Sequence, residues 1–129
     1  LPVLKGKGAD LGCGYGALAT VILRSPQAVS LKMVDIDRRA IKAARRNIED
    51  ARAKVQWTDV RTLATNGDYD FVVSNPPFHT PSRADRPDIG QRFIAVAAQA
   101  LRPGGRLFQV EFDLGQPVEL PPAPWGAQD

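Results

Sequence analysis

The chain has 129 residues, 43% of them hydrophobic and 24% charged, which is the composition of an ordinary globular chain and the length of one domain at most. No run approaches the roughly 18 apolar residues of a membrane span, and the first ten residues hold no signal-peptide core, so the cytoplasm is the expected compartment. The single Cys13 excludes an internal disulfide, no Cys/His cluster offers a metal site, and a net charge of +3 permits an acidic partner such as RNA.

In chain order, strand-like apolar runs alternate with helix-like stretches, the pattern of a parallel α/β sheet. Strands are expected at Gly8 to Leu11, Leu31 to Asp35, Val55 to Thr58, Tyr69 to Ser74 and Arg106 to Val110. Helices are expected at Ala17 to Leu23, Arg38 to Asp50 and Ile89 to Leu101. In the second helix Ile41, Ala44 and Ile48 share one face and Asp37 is a natural N-cap. Its cations, Arg38, Arg39, Lys42, Arg45 and Arg46, read as a solvated face paired with Glu49 and Asp50. The third helix should stop at "RPGG", because Pro103 cannot continue it and Gly104 or Gly105 accepts a positive φ. The polar loop from His79 to Asp88 follows the fourth strand, and its Arg83 and Arg86 are candidates for meeting a substrate phosphate. Residues 114–129 read as an irregular proline-rich tail.

The chemistry concentrates where strands end. After the first strand, "DLGCGYGAL" crowds Gly12, Gly14 and Gly16 into a turn where a ligand can lie against bare backbone. Gly12, Gly14 and Ala17 equally satisfy the dinucleotide pattern G-x-G-x-x-A, which leaves a nicotinamide or flavin cofactor open. Asp35 ends the second strand 19 residues after Gly16, where a carboxylate can accept from both hydroxyls of a ribose. Asp59, after the third strand, can accept from the exocyclic amine of an adenine, with the Val60 amide serving a ring nitrogen; a turn or helix cap is its other use. Asp10, a carboxylate inside a strand, needs hydrogen bonds to be tolerated there. It can brace the glycine-loop amides or reach a ligand's ammonium group. Cys13 reads as a small buried filler of the loop.

The fourth strand runs into "SNPPFH". Asn75 offers a side-chain carbonyl and Pro76 a backbone carbonyl, two acceptors able to hold the N–H groups of a planar amine. Pro76 and Pro77 stiffen the loop and bring no competing donor, and Phe78 offers a face on which a base can stack. His79 can contact substrate or stand as a surface residue. Without the motifs before it, Asn-Pro-Pro would read as a plain turn.

Together "ADLGCGYGAL", Asp35, "TDV" at Asp59 and "SNPPFH" resemble, in order and spacing, the class I S-adenosylmethionine-dependent methyltransferases. With "RPGGRLFQV" the chain looks most like the small-subunit ribosomal RNA guanine-N2 methyltransferases of the C type. The resemblance covers roughly Lys5 to Val110. It implies a Rossmann-like doubly wound, mostly parallel α/β sheet and S-adenosyl-L-methionine as cofactor. The implied cofactor site is Asp10, Gly12, Gly14, Gly16, Asp35 with its neighbour Ile36, Asp59, Val60 and Asn75. Asn75, Pro76, Pro77 and Phe78 become the catalytic group, and ribosomal RNA or the small ribosomal subunit the partner. Residues 1–113 form the cofactor-binding domain on this reading. The family's helix before the first strand and hairpin after the fifth are not evident, so the fold is expected to be truncated at both ends. Three other readings stay open: a protein glutamine N-methyltransferase, a nucleotide-cofactor oxidoreductase, and a non-catalytic RNA-binding module on the same fold.

Overall fold

A computed structural model describes residues 4–74 and 87–110, with the side chains of 87–89 left out of the description. The motif from Asn75 to His79, Arg83, Arg86 and the tail lie outside the described residues. Five strands form one parallel sheet: β1 (Gly6–Leu11), β2 (Ala28–Asp35), β3 (Ala53–Trp57), β4 (Tyr69–Ser74) and β5 (Leu101–Gln109). Their order is β3-β2-β1-β4-β5. The chain therefore winds outward from β1 in one direction and, beginning with β4, in the other. The crevice at the carboxyl ends of β1 and β4 is the topological switch point, the place where open α/β sheets bind ligands.

Burial explains which strands are central. The last four residues of β1 and of β4 are all buried, as the central strands of a two-sided parallel sheet should be, whereas β3 has only half-buried and exposed positions, as an edge strand. Helices α1 (Ala17–Ile22) and α2 (Arg38–Asn47) close one face over Leu31, Met33, Phe71 and Val73. Helix α3 (Pro87–Ala100) covers the other through Phe93, Val96 and Ala97, which pack with Ala9, Leu11, Val34 and Val72. A one-turn 3-10 helix at Val60–Thr62, not expected from the sequence, buries Val60 in that second cluster.

Several boundaries differ from the sequence reading, each for a physical reason. Helix α2 starts as expected, with the Asp37 carboxylate accepting from the amides of Arg39 and Ala40, but it ends at Asn47 rather than Asp50. Asp50 instead turns to Arg52, accepting from its amide at 2.9 Å and from its guanidinium at 3.0 and 2.7 Å. The expected pairing of Asp50 with the cations of α2 is therefore wrong. Helix α3 stops at Ala100, and Leu101 already pairs with Tyr69 in the sheet. The helix thus stops beside "RPGG" as expected and Gly104 takes the expected positive φ, but the segment itself belongs to the sheet. It is a bulge inside β5, since Tyr69 faces Leu101 and Phe71 faces Arg106, with Gly104 at φ +81°. Strand β3 starts two residues earlier than expected and ends at Trp57.

The amino edge of the sheet is held by two charged groups that sequence reasoning did not find. The Arg52 guanidinium donates to the carbonyls of Ser25 and Ala28, both at 2.9 Å, and to that of Leu23, so one side chain ties the α1–β2 connection to the α2–β3 connection. Its hydrogen bonds hold the Asp50 carboxyl below the ordinary carboxylate range. Asp70 accepts from the Lys7 amide at 2.7 Å and from Arg102 Nε, joining β1 to β5 across β4. Arg52→Ala is expected to destabilise the chain by about 2 kcal/mol in urea unfolding, since it removes the donor from three carbonyls and a carboxylate. Arg52→Lys should recover little of this, because an ammonium lacks the planar fork. A loss within about 0.5 kcal/mol, the range of unconstrained surface positions, would show the clamp to be dispensable.

Candidate functional site

The glycine loop is fixed by the strand beside it. The amides of Gly12 and Cys13 both donate to the Val34 carbonyl at 2.9 Å, which folds the loop over the end of β2. All three glycines take positive φ: +82° at Gly12, +56° at Gly14 and +103° at Gly16. Their surroundings separate two roles. A Cβ on Gly16 would press on Ile48 at 3.0 Å and lie near Met33, so Gly16 lets α1 pack closely on the sheet. A Cβ on Gly14 would meet nothing within 4 Å. Gly14 is thus the open face of the loop, where a ligand can approach the backbone.

Asp35 braces this loop. Its Oδ2 accepts from the Gly14 amide at 2.8 Å and its Oδ1 from the Asp37 amide at 2.8 Å. Each oxygen keeps a further lone pair for a ligand hydroxyl. The bracing role offered to Asp10 therefore belongs to Asp35, which ends the neighbouring strand and can reach across to the loop.

Asp10 is in a different condition. It is fully buried within β1, between Met33 of β2 and Val73 of β4, and neither carboxylate oxygen has a hydrogen-bond partner among the described residues. Burial, and after it the charge of Asp35, pushes its carboxyl up to about 7. Evolution rarely leaves a buried carboxylate without a donor. One that lies two residues before a ligand-accessible loop is suited to a cationic group of that ligand. The Ser74 hydroxyl, buried at the end of β4 beside Leu11, also lacks a partner among the described residues. Cys13 behaves as the filler expected: its thiol is buried, contacts the Gly14 carbonyl at 3.5 Å, and is pushed well above the ordinary thiol range by burial and then by the charges of Asp10 and Asp35. It is a poor nucleophile.

Asp59 has the structural job that was its alternative. Its carboxylate accepts from the Arg61 amide at 2.9 Å, caps the 3-10 helix, and pairs with the Arg61 guanidinium at 2.8 Å, whose hydrogen bonds hold it below the ordinary carboxylate range. Ile36 is 59% exposed and Trp57 55% exposed. The indole Nε1 donates to the Ile36 carbonyl at 2.8 Å, and the Arg38 guanidinium stands 5.6 Å above the Trp57 ring. Trp57 was read only as strand; its register partner is Asp35, and that adjacency to a candidate ligand was the signal that could have marked it.

The structure thus brings Asp10, Gly12, Gly14, Gly16, Asp35 and Ile36 to the carboxyl edge of β1 and β2. Asp59 and Val60 follow β3 at the same edge. Asn75, Pro76, Pro77 and Phe78 lie outside the described residues, but they continue directly from Ser74, whose register partner Leu11 immediately precedes the glycine loop. A cofactor with an ammonium group, a ribose and a small body that lies on backbone fits the residues present. Asp10 supplies an unmatched buried charge, Gly14 an uncovered backbone, and Asp35 spare acceptor capacity.

Comparison with known proteins agrees with this geometry. The chain is 36% identical over 107 residues to the ribosomal RNA small subunit methyltransferase C of Shewanella oneidensis, covering 81% of this chain and 31% of the relative. It is 34% identical over 112 residues to the protein of that name from Shewanella loihica, covering 85% and 32%. The chain therefore spans about a third of the length of these relatives. Among solved structures, an S-adenosylmethionine dependent methyltransferase from Mesorhizobium loti superposes with a TM-score of 0.64 at 23% identity, over 83% of this chain and 47% of that one, which establishes the shared fold. The sequence profile of the methyltransferase small domain matches residues 1–116, and the chain belongs to the methyltransferase small domain family.

Proposed function

We propose that the chain is the catalytic domain of an N-methyltransferase that uses S-adenosyl-L-methionine to methylate guanine N2 in small-subunit ribosomal RNA. The observation that carries the cofactor assignment is the buried, donor-less Asp10 beneath a glycine loop that is open at Gly14 and braced by Asp35. The choice of acceptor is supported by the likeness to the ribosomal RNA methyltransferases and by the Asn-Pro-Pro-Phe sequence after β4.

The cofactor supplies an activated methyl group on a sulfonium. The chain's own part is to bind and orient. Asp10 meets the ammonium of the cofactor, Gly12 to Gly16 cradle its methionine portion, and Asp35 takes the ribose hydroxyls with the lone pairs left by Gly14 and Asp37. Ile36 flanks the adenine, the Val60 amide serves a ring nitrogen, and Asp59 accepts from its amine beside Arg61. On the acceptor side, the guanine amine is a weak nucleophile because its lone pair is delocalised into the ring. The Asn75 side-chain carbonyl and the Pro76 backbone carbonyl hold its two N–H groups, Pro77 keeps that loop stiff, and Phe78 stacks on the base. Catalysis on this reading is mainly alignment of the amine with the methyl group.

The test is incubation of the chain with methyl-labelled cofactor and small ribosomal subunits that lack the modification, followed by nuclease digestion and mass spectrometry. Label in N2-methylguanosine is expected. Label on a protein glutamine would move the acceptor to protein, and binding without transfer would make the chain a non-catalytic module. Asp35→Ala should weaken binding of the demethylated cofactor product by about 10- to 100-fold in calorimetry, the effect of losing a charged hydrogen-bond acceptor. Saturable NAD binding that ignores this substitution would overturn the cofactor assignment.

A further inference from the structure

Five of the ten residues of α2 are cationic: Arg38, Arg39, Lys42, Arg45 and Arg46, all exposed. The sequence suggested that Glu49 and Asp50 neutralise them, but Asp50 is committed to Arg52, and none of the five makes an ion pair among the described residues. Arg45 reaches over to the Val55 carbonyl on the edge strand at 3.2 Å, and Arg38 lies over the Trp57 ring at the end of that strand. On the opposite face of the sheet, Lys32 of β2 stands directly beside Lys54 of β3 in register, and neither has an ion-pair partner among the described residues. Like charges placed opposite one another on a sheet destabilise it unless a counter-charge sits over them. These two lysines line an open cleft of about 690 Å³, together with Ser30, Arg52 and Gln56.

Seven uncompensated cations therefore flank both faces of one edge strand in a chain whose whole net charge is +3, and a fixed, half-exposed indole lies at the strand's end nearest the cofactor residues. We propose that α2 and the β3 edge form a track for the phosphate backbone of RNA, separate from the candidate active site and leading toward it past Trp57. The inference rests on the reading of the acceptor as RNA and adds where that RNA runs. The spacing of cations along a helix and a strand suits a row of phosphates, and Trp57 with Arg38 provides a flat face on which an unpaired base can stack.

The experiment is fluorescence anisotropy of a labelled single-stranded 20-nucleotide RNA on the 129-residue chain, titrated with salt. Lys32→Gln/Lys54→Gln should flatten the dependence of log affinity on log salt by about 1.4, and Lys42→Gln/Arg45→Gln/Arg46→Gln by about 2, at roughly 0.7 per phosphate contact on a single strand. The control Lys5→Gln/Arg106→Gln, one cation before β1 and one on β5 at the opposite edge of the sheet, should leave the slope unchanged. Circular dichroism and calorimetry of cofactor binding establish that each variant is folded. Unchanged slopes in the track variants, or an equal loss in the control, would overturn the proposal, as would preferential binding of anionic phospholipid vesicles. The two readings fail separately. Transfer of methyl to RNA with track variants that bind normally removes the track alone, whereas track-dependent binding without transfer removes the methylation reading alone.

Discussion

Asp10→Asn is expected to stabilise the cofactor-free chain at pH 8 while greatly weakening cofactor binding. The sign follows from linkage. Asp10 has its carboxyl raised from 3.8 to about 7 in the folded chain by burial and the charge of Asp35, so between those values the folded state holds a proton that the unfolded state has released. Stability therefore falls as pH rises from about 4 to about 7, by on the order of 4 kcal/mol once the group is fully ionised. Asparagine has the same shape without the charge, and part of that penalty, about 2 kcal/mol, should be regained at pH 8 and little of it at pH 4. Cofactor binding reverses the preference, since an ammonium against Asp10 favours the ionised form. Wild-type affinity should then climb with pH up to about 7 and level off above it, with release of nearly one proton per cofactor bound at pH 6. Calorimetry in buffers of different ionisation enthalpy measures that proton directly. No proton release, together with normal binding by Asp10→Asn, would show that Asp10 does not meet the cofactor.

The second large effect concerns the acceptor. Asn75→Ala should lower turnover by about 100-fold or more, the scale seen when one preorganised polar group is removed from a transition state. Cofactor affinity should stay within about twofold, because Asn75 is assigned mainly to the amine that receives the methyl. Phe78→Ala should act differently, raising KM through lost stacking with a smaller change in kcat. The pair must separate in this way on a substrate already shown to be methylated. Near-normal turnover in Asn75→Ala, with fold and cofactor binding intact, would reduce the Asn-Pro-Pro segment to a structural turn.

The parallel sheet was legible because its central strands are short apolar runs bounded by glycine and acidic residues, and α2 because Ile41, Ala44 and Ile48 repeat with helical spacing behind an aspartate cap. The glycine loop was legible as a place. What was not legible was which carboxylate serves it. Asp10 is near Gly14 in sequence, but Asp35 is near it in space, and only pairing of β1 with β2 brings a side chain from 21 residues away onto that amide. The same limit hid Arg52, whose partners at Leu23, Ser25 and Ala28 become neighbours only when two connections meet below the sheet. The "RPGG" segment marked the helix end but hid the bulge, because proline and glycines end a helix and bulge a strand with the same residues. The charge of α2 was read as self-neutralised on helical spacing, and the competing fork on Arg52 is not visible in that spacing.

The two edges of the sheet are built with unequal tolerance for change. Below, Arg52 sews two connections together, Asp70 joins β1 to β5, and α3 passes into β5 without an intervening residue, so an insertion there has no slack to absorb it. Above, the chain leaves β1, β2 and β3 through segments whose ties are mostly local caps and single carboxylates. Divergence of such a domain is therefore channelled to the upper rim, where new acceptors can be accommodated by lengthening or rewriting loops while the lower frame keeps the strands in register.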